Sequence, residues 1–116
     1  MQEKLNKIVR LEALKSEPKF ISNDFYTGLS CKENEEELIK ELNNTIDTFI
    51  ENTQDKNISE QEYQKLISEC LTMFNKYNLD TEDKEYIANF FEKIMDAIEL
   101  ETSGGALNEW LYGFKF

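Results

Sequence analysis

Apolar residues recur at three- and four-residue spacing along most of this chain, and that period commits it to helices packed against one another. The first stripe, over residues 2–15, holds Leu5, Ile8, Val9, Leu11 and Leu14 among charges. It should end at Glu17, because Pro18 disfavours α geometry in the residue before it. Residues 19–30 break the pattern. Phe20, Ile21, Phe25, Tyr26 and Leu29 alternate there with turn formers, which predicts an ordered connection pressed against the helices.

A second helix should follow Ser30 and Glu33, which have capping-box spacing, with Asn34 as a rival cap. Its stripe is Leu38, Ile39, Leu42, Ile46, Phe49 and Ile50. The expected end is about Asn52, with 52–57 as a polar loop. Ser59 and Glu62 form a second capping-box pair, and Tyr63, Leu66, Ile67, Cys70, Leu71, Phe74 and Tyr77 follow it, with Asn78 as a left-handed end. Asp80 or Thr81 should cap a fourth helix reaching about Leu100, with Ile87, Phe90, Phe91, Ile94, Met95 and Ile98 buried. Ser103-Gly104-Gly105 is the expected stop. The apolar tail, 106–116, should form one or two turns docked on the rest.

The architecture these stripes predict is all-α: four main helices in an antiparallel bundle, closed by a short C-terminal aromatic helical segment. Its 116 residues give room for one domain, 1–116, with one core.

Charge narrows the partners. Asp plus Glu number 24 against 13 Lys plus Arg, a net of −11. Phosphate backbones and anionic membrane surfaces repel such a chain, so nucleic-acid and membrane binding are not expected. Residues 32–56 carry eight carboxylates against three lysines, and residues 80–101 eight against two. Two helices therefore account for the whole net charge, and as neighbours they would make an acidic face. Arg10 is the sole arginine; with abundant Lys, Asn and Ile, the composition suggests an AT-rich bacterial genome.

Catalytic chemistry finds little support. The chain has no histidine, which removes Ser-His and Cys-His nucleophile pairs and the usual base near neutral pH. Cys31 precedes a helix start, but Glu33, Glu35, Glu36 and Glu37 oppose its ionisation. Cys70 lies in an apolar stripe and reads as core. Asp80, Glu82, Asp83 and Glu85 crowd one helix start without the spacing of a calcium loop. They read as solvent-facing carboxylates favoured by the helix dipole. Glu37 and Glu41 read likewise as a solvated face. No metal, cofactor or enzyme activity is expected. Neither a signal peptide nor a membrane span is visible, and the chain reads as cytoplasmic with free thiols.

The run Leu79-Asp80-Thr81-Glu82-Asp83-Lys84-Glu85, then Ile94-Met95-Asp96, then 103–114 (Ser-Gly-Gly-Ala-Leu-Asn-Glu-Trp-Leu-Tyr-Gly-Phe) resembles the C-terminal half of a family of short bacterial proteins of unknown function. Its members come chiefly from Bacteroides-like and Acinetobacter-like bacteria. Ala106 stands where a larger apolar residue is expected. The resemblance implies a bacterial origin and an all-α fold, and carries no activity.

The function this reading favours is a non-enzymatic interaction module presenting an acidic helix face to a basic protein, for instance an immunity-type inhibitor of a toxin. The partner-binding residues would be Glu36, Glu37, Glu41, Glu82, Glu85, Trp110 and Tyr112. The rival is a small-molecule-binding bundle whose pocket is lined by Phe and Tyr.

Overall fold

The computed structural model describes residues 2–17, 35–55, 58–77, 79 and 81–112. Among the described residues five helices follow one another: α1 (Gln2–Ser16), α2 (Glu35–Asp55), α3 (Glu60–Thr72), α4 (Thr81–Ala97) and α5 (Ala106–Tyr112). No strand occurs among the described residues, and the fold is all-α. The connection at 18–34, Asn78 and Asp80 lie outside the described residues, as do Cys31 and the tail beyond Tyr112.

Chain directions follow from three sets of contacts. Lys15, at the end of α1, pairs with Asp47 Oδ1 at 2.9 Å, while Lys7 lies 5.9 Å from the Tyr63 ring centre. Tyr63 in turn meets Thr53 at the end of α2. Helix α1 therefore runs against α2, and α2 against α3. Lys7, Ile58 and Tyr63 share a surface groove with 98–101, whereas Arg10, Leu14 and Glu17 lie beside Lys93 and Ala97. Helix α4 is thus antiparallel to α1 and parallel to α2. Helix α5 lies along α3 and α4, with Gln64 Nε2 donating to Thr102 O at 3.1 Å at one end and Trp110 meeting Asn75 at the other.

One hydrophobic cluster draws on all five helices, from Leu11 through Leu38, Phe49, Ile67 and Phe91 to Leu107. Aromatic rings fill much of it. Phe74 meets Phe91 edge-on at 6.1 Å, and Phe49 stacks on Tyr63 at the same centroid distance. Each fully buried side chain of this size contributes about 1.5–3 kcal/mol, which is why the stripes, rather than local propensity, hold the helices.

Three helix ends differ from the sequence reading. Helix α2 runs on to Asp55 where a loop from Asn52 was expected. Asn52 Nδ2 donates to Thr48 O at 2.8 Å, and Thr53 turns inward and is buried. Helix α3 begins as expected, with the reciprocal Ser59–Glu62 capping box formed, but ends at Thr72. Tight turns bonded three residues apart then carry the chain through Met73, Phe74, Asn75 and Tyr77. Phe74 stays fully buried across this change.

Helix α4 stops at Ala97, well before the glycines. Glu99 adopts φ +59°. Glu99 N–H donates to Asp96 O at 3.2 Å and Leu100 N–H to Met95 O at 2.8 Å. Those two bonds make a Schellman cap with glutamate where glycine is usual. Buried Leu100 and Met95 supply its apolar contact. The glycines serve the next corner. Gly104 has φ +69°, and a Cβ there would stand 2.9 Å from Gln64 Oε1.

Candidate protein-binding surface

Because α2 and α4 are parallel, their acidic first turns lie at one end of the bundle, the end where α3 finishes. Glu36 and Glu37 open α2 and Glu82 opens α4, with Glu85 one turn on; all four are exposed. The turn 73–77 and the last turn of α5 occupy the same end. The structure therefore gathers Glu36, Glu37, Glu41, Glu82, Glu85, Trp110 and Tyr112 at one pole of the molecule, with α3's exit between the two acidic starts.

Two carboxylates are placed differently from the sequence reading. Glu41 is not a solvated residue. Its side chain is only 15% exposed, and its Oε2 sits 3.5 Å from Lys76 Nζ. It also hydrogen-bonds Tyr77. Burial, then the Glu41 charge, pushes the Tyr77 hydroxyl above its usual range, with Lys76 opposing and Glu37 adding to the rise. Lys76 Nζ itself lies 5.4 Å from the Tyr77 ring centre.

Asp83, expected to face solvent, is 1% exposed. It lies four residues before Ile87 and so falls on α4's inward stripe. The start of a helix tolerates an inward carboxylate because unpaired N–H groups and the dipole favour negative charge there. Asp83 is not without a partner in the fold.

The two aromatic candidates also divide. Trp110 is half-buried, and its indole Nε1 donates to Asn75 Oδ1 at 2.9 Å. Lys84 Nζ stands 5.8 Å from the ring centre. Lys84, between Glu82 and Glu85 in sequence, is thereby drawn toward α5. Tyr112, two residues on, is 53% exposed. Exposed Met73 in the α3 exit turn lies at this end as well. Sequence reasoning missed Met73, Asn75, Lys76, Tyr77 and Lys84. Only the helix period that ran Tyr77 into the α3 stripe hinted at any of them.

Surface grooves among the described residues range from about 260 Å³ to about 580 Å³, the latter between α1 and α4. One of about 260 Å³ lies between α3 and α5, lined by Ser68, Thr72, Asn75, Glu109 and Trp110 among others. The phenylalanines a ligand cavity would draw on, Phe49, Phe74, Phe90 and Phe91, are buried in the core. Among the described residues, no group of three or more Cys, Asp or Glu could hold a metal ion, and no helix is long and apolar enough to cross a membrane. Cys70 is buried, and burial, with Glu69 and Glu41 adding, pushes its thiol up to about 11. A thiol held protonated in this way is no nucleophile near neutral pH.

With this geometry in place, comparison with known proteins is direct. Residues 2–115 match the family model described as a domain of unknown function, DUF4844. The chain belongs to that family. It is also similar to a solved crystal structure, a DUF3571 family protein from Acinetobacter baumannii AYE. That chain is 30% identical, with 97% of this chain and 94% of the other covered and a TM-score of 0.89. No curated protein matches. The DUF4844 assignment agrees with the uncharacterised family expected from the sequence, and the Acinetobacter structure has the same fold across nearly its full length. No activity comes with either, so the function of this DUF4844 chain has to be argued from its surface.

Proposed function

We propose that this protein is a non-enzymatic binding module that offers the acidic pole of its bundle to a basic protein, with an immunity-type inhibitor as the concrete form. The observation that carries this reading is the parallel setting of α2 and α4, which puts exposed Glu36, Glu37, Glu82 and Glu85 at one end beside exposed Tyr112. An apolar anchor rimmed by charges of one sign suits a partner of opposite charge: the anchor holds, and the charges steer encounter. On the same reading the compartment is cytoplasmic and the source bacterial, and residues 79–114 are the part of the chain that carries the family's pattern.

The test is comparative capture from host extract. The full chain and a variant with Glu36, Glu37, Glu82 and Glu85 all changed to Gln are immobilised side by side. A basic protein held by the first, lost from the second and released by moderate salt is the expected result. A retained set indifferent to both the variant and the salt overturns the reading.

A further inference from the structure

Helices α3 and α5 lie side by side, and the groove of about 260 Å³ runs between them. Ser68, Thr72 and Asn75 line it from α3 and its exit turn, Glu109 and Trp110 from α5, and buried Leu71 adds an apolar surface. One end of the groove is at the acidic pole, where Asn75 and Trp110 meet.

Its size and charge say what fits there. Pockets for whole small molecules run to about 300–1,000 Å³, so this groove suits one long side chain. Glu109 is anionic, none of the lining residues is cationic, and the chain has a net charge of −11. A cation is favoured. Acceptors for its N–H groups stand along both walls. The Thr72 hydroxyl gives its proton to Glu69 O at 2.6 Å, which leaves its lone pairs to accept. Asn75 Oδ1 takes the Trp110 N–H at 2.9 Å and has a second lone pair. Glu109 is not without a partner in the fold. A carboxylate accepts at about four positions, however, so one partner does not fill it.

Among long cationic side chains, arginine fits better than lysine. Its planar guanidinium carries several N–H donors and stacks on aromatic rings, whereas an ammonium is a compact, strongly hydrated point charge. Trp110 supplies the ring, and the Asn75 bond holds it in place. Lys84 Nζ, 5.8 Å from the ring centre, is a like charge that an incoming guanidinium meets.

We infer that the α3–α5 groove takes an arginine side chain of the basic partner, with the guanidinium at Trp110 and Glu109 and the methylene stem along Leu71. The inference rests on the acidic-pole reading for the partner's charge and adds the place where one of its side chains is held.

Short peptides of arginine and of lysine, equal in length and charge, are titrated at low salt into the isotope-labelled full chain. Trp110 is the sole tryptophan, so its indole N–H gives a single resonance at the groove. The arginine peptide is expected to shift that resonance saturably and to bind about threefold more tightly than the lysine peptide. Glu109→Gln should weaken the arginine peptide by about fivefold, and Lys84→Gln should strengthen it by about twofold. Ser68→Phe fills the groove and should erase the preference for arginine, while attachment of both peptides to the pole by charge survives. Ser68 and Glu109 are exposed and lie on different helices, so one variant serves if circular dichroism shows the other misfolded. An arginine preference unmoved by either variant overturns the groove and leaves the pole standing. An arginine peptide that leaves the Trp110 resonance in place also overturns it. The pole reading fails separately, when changing Glu36, Glu37, Glu82 and Glu85 to Gln alters the binding of neither peptide.

Discussion

The hydroxyls of Thr53 and Tyr63 meet at 2.7 Å inside the protein, joining the last turn of α2 to the first turn of α3. Both residues are buried, and Phe49 stacks on the same tyrosine ring. Removing one hydroxyl leaves the other without its partner, which costs more than removing both. Tyr63→Phe or Thr53→Val alone should lower stability by about 1–3 kcal/mol. The double variant should lose less than the sum of the two, and chemical denaturation of the three proteins measures the difference.

Glu99 is a non-glycine residue in the left-handed region, with φ +59°. That conformation costs about 1–2 kcal/mol for a residue with a Cβ. Glycine removes the cost and returns part of it by loosening the unfolded chain. Glu99→Gly should therefore stabilise the protein by about 0.5–1 kcal/mol, read as a melting point higher by a few degrees. Glu99→Ala keeps the Cβ and should show no such gain.

Where the helices lie, and which way they face, was legible because burial along each is set by the three-and-four period. Leu38, Ile67 and Ile94 are all core. The Ser59–Glu62 box formed because its two partners are three residues apart in one chain segment. What escaped depends on residues far apart in sequence. Asn75 and Trp110 are 35 residues apart, and nothing local marks one as the acceptor of the other. Glu41 and Asp83 were both assigned to solvent on residue type. Glu41 left it through Lys76 and Tyr77, on another element. Asp83 was readable from its register with Ile87, had the period been given more weight than the charge. The stop of α4 was misplaced because glycine was the expected signal, and glutamate did the same job at a cost in backbone strain.

Stability should fall at alkaline pH. Burial, with Glu69 and Glu41, raises the Cys70 thiol to about 11, against about 8.5 in an unfolded chain. Tyr63 is also raised, by burial with Thr53 opposing, and Tyr77 by burial and Glu41. A raised folded-state value means the folded protein holds a proton that the unfolded chain releases. The contribution is thus fully present below about pH 8.5 and lost as pH climbs to about 11. The part due to Cys70 is on the order of 3 kcal/mol. Urea titrations at pH 8 through 11 should show the decline, and Cys70→Ala should flatten it; a slope unchanged in that variant would assign the loss to other groups.

The acidic pole and the aromatic end should have separable kinetic roles once a basic partner is in hand. Exposed carboxylates steer encounter and are screened within about 10 Å at 0.1 M salt. Reversing Glu36, Glu37, Glu82 and Glu85 to Lys should therefore slow association and weaken its salt dependence, while stability falls by about 0.3–1 kcal/mol for each of the first-turn residues Glu36, Glu37 and Glu82, where the helix dipole favours a carboxylate. Glu41 belongs in a different class, because it is tied to Lys76 and Tyr77. Its reversal should cost stability first. Tyr112 is exposed and can be removed without disturbing the core, so Tyr112→Ala should leave the melting point in place and speed dissociation. Trp110 holds α5 to the α3 exit through Asn75, and Trp110→Ala should destabilise the fold by about 1–3 kcal/mol. Trp110→Phe keeps most of the ring and drops only the N–H, which makes it the better probe of contact. Stability is measured before binding for each variant. Association that ignores salt and all four reversed carboxylates, together with dissociation unmoved by Tyr112→Ala, would remove the acidic pole from the binding surface.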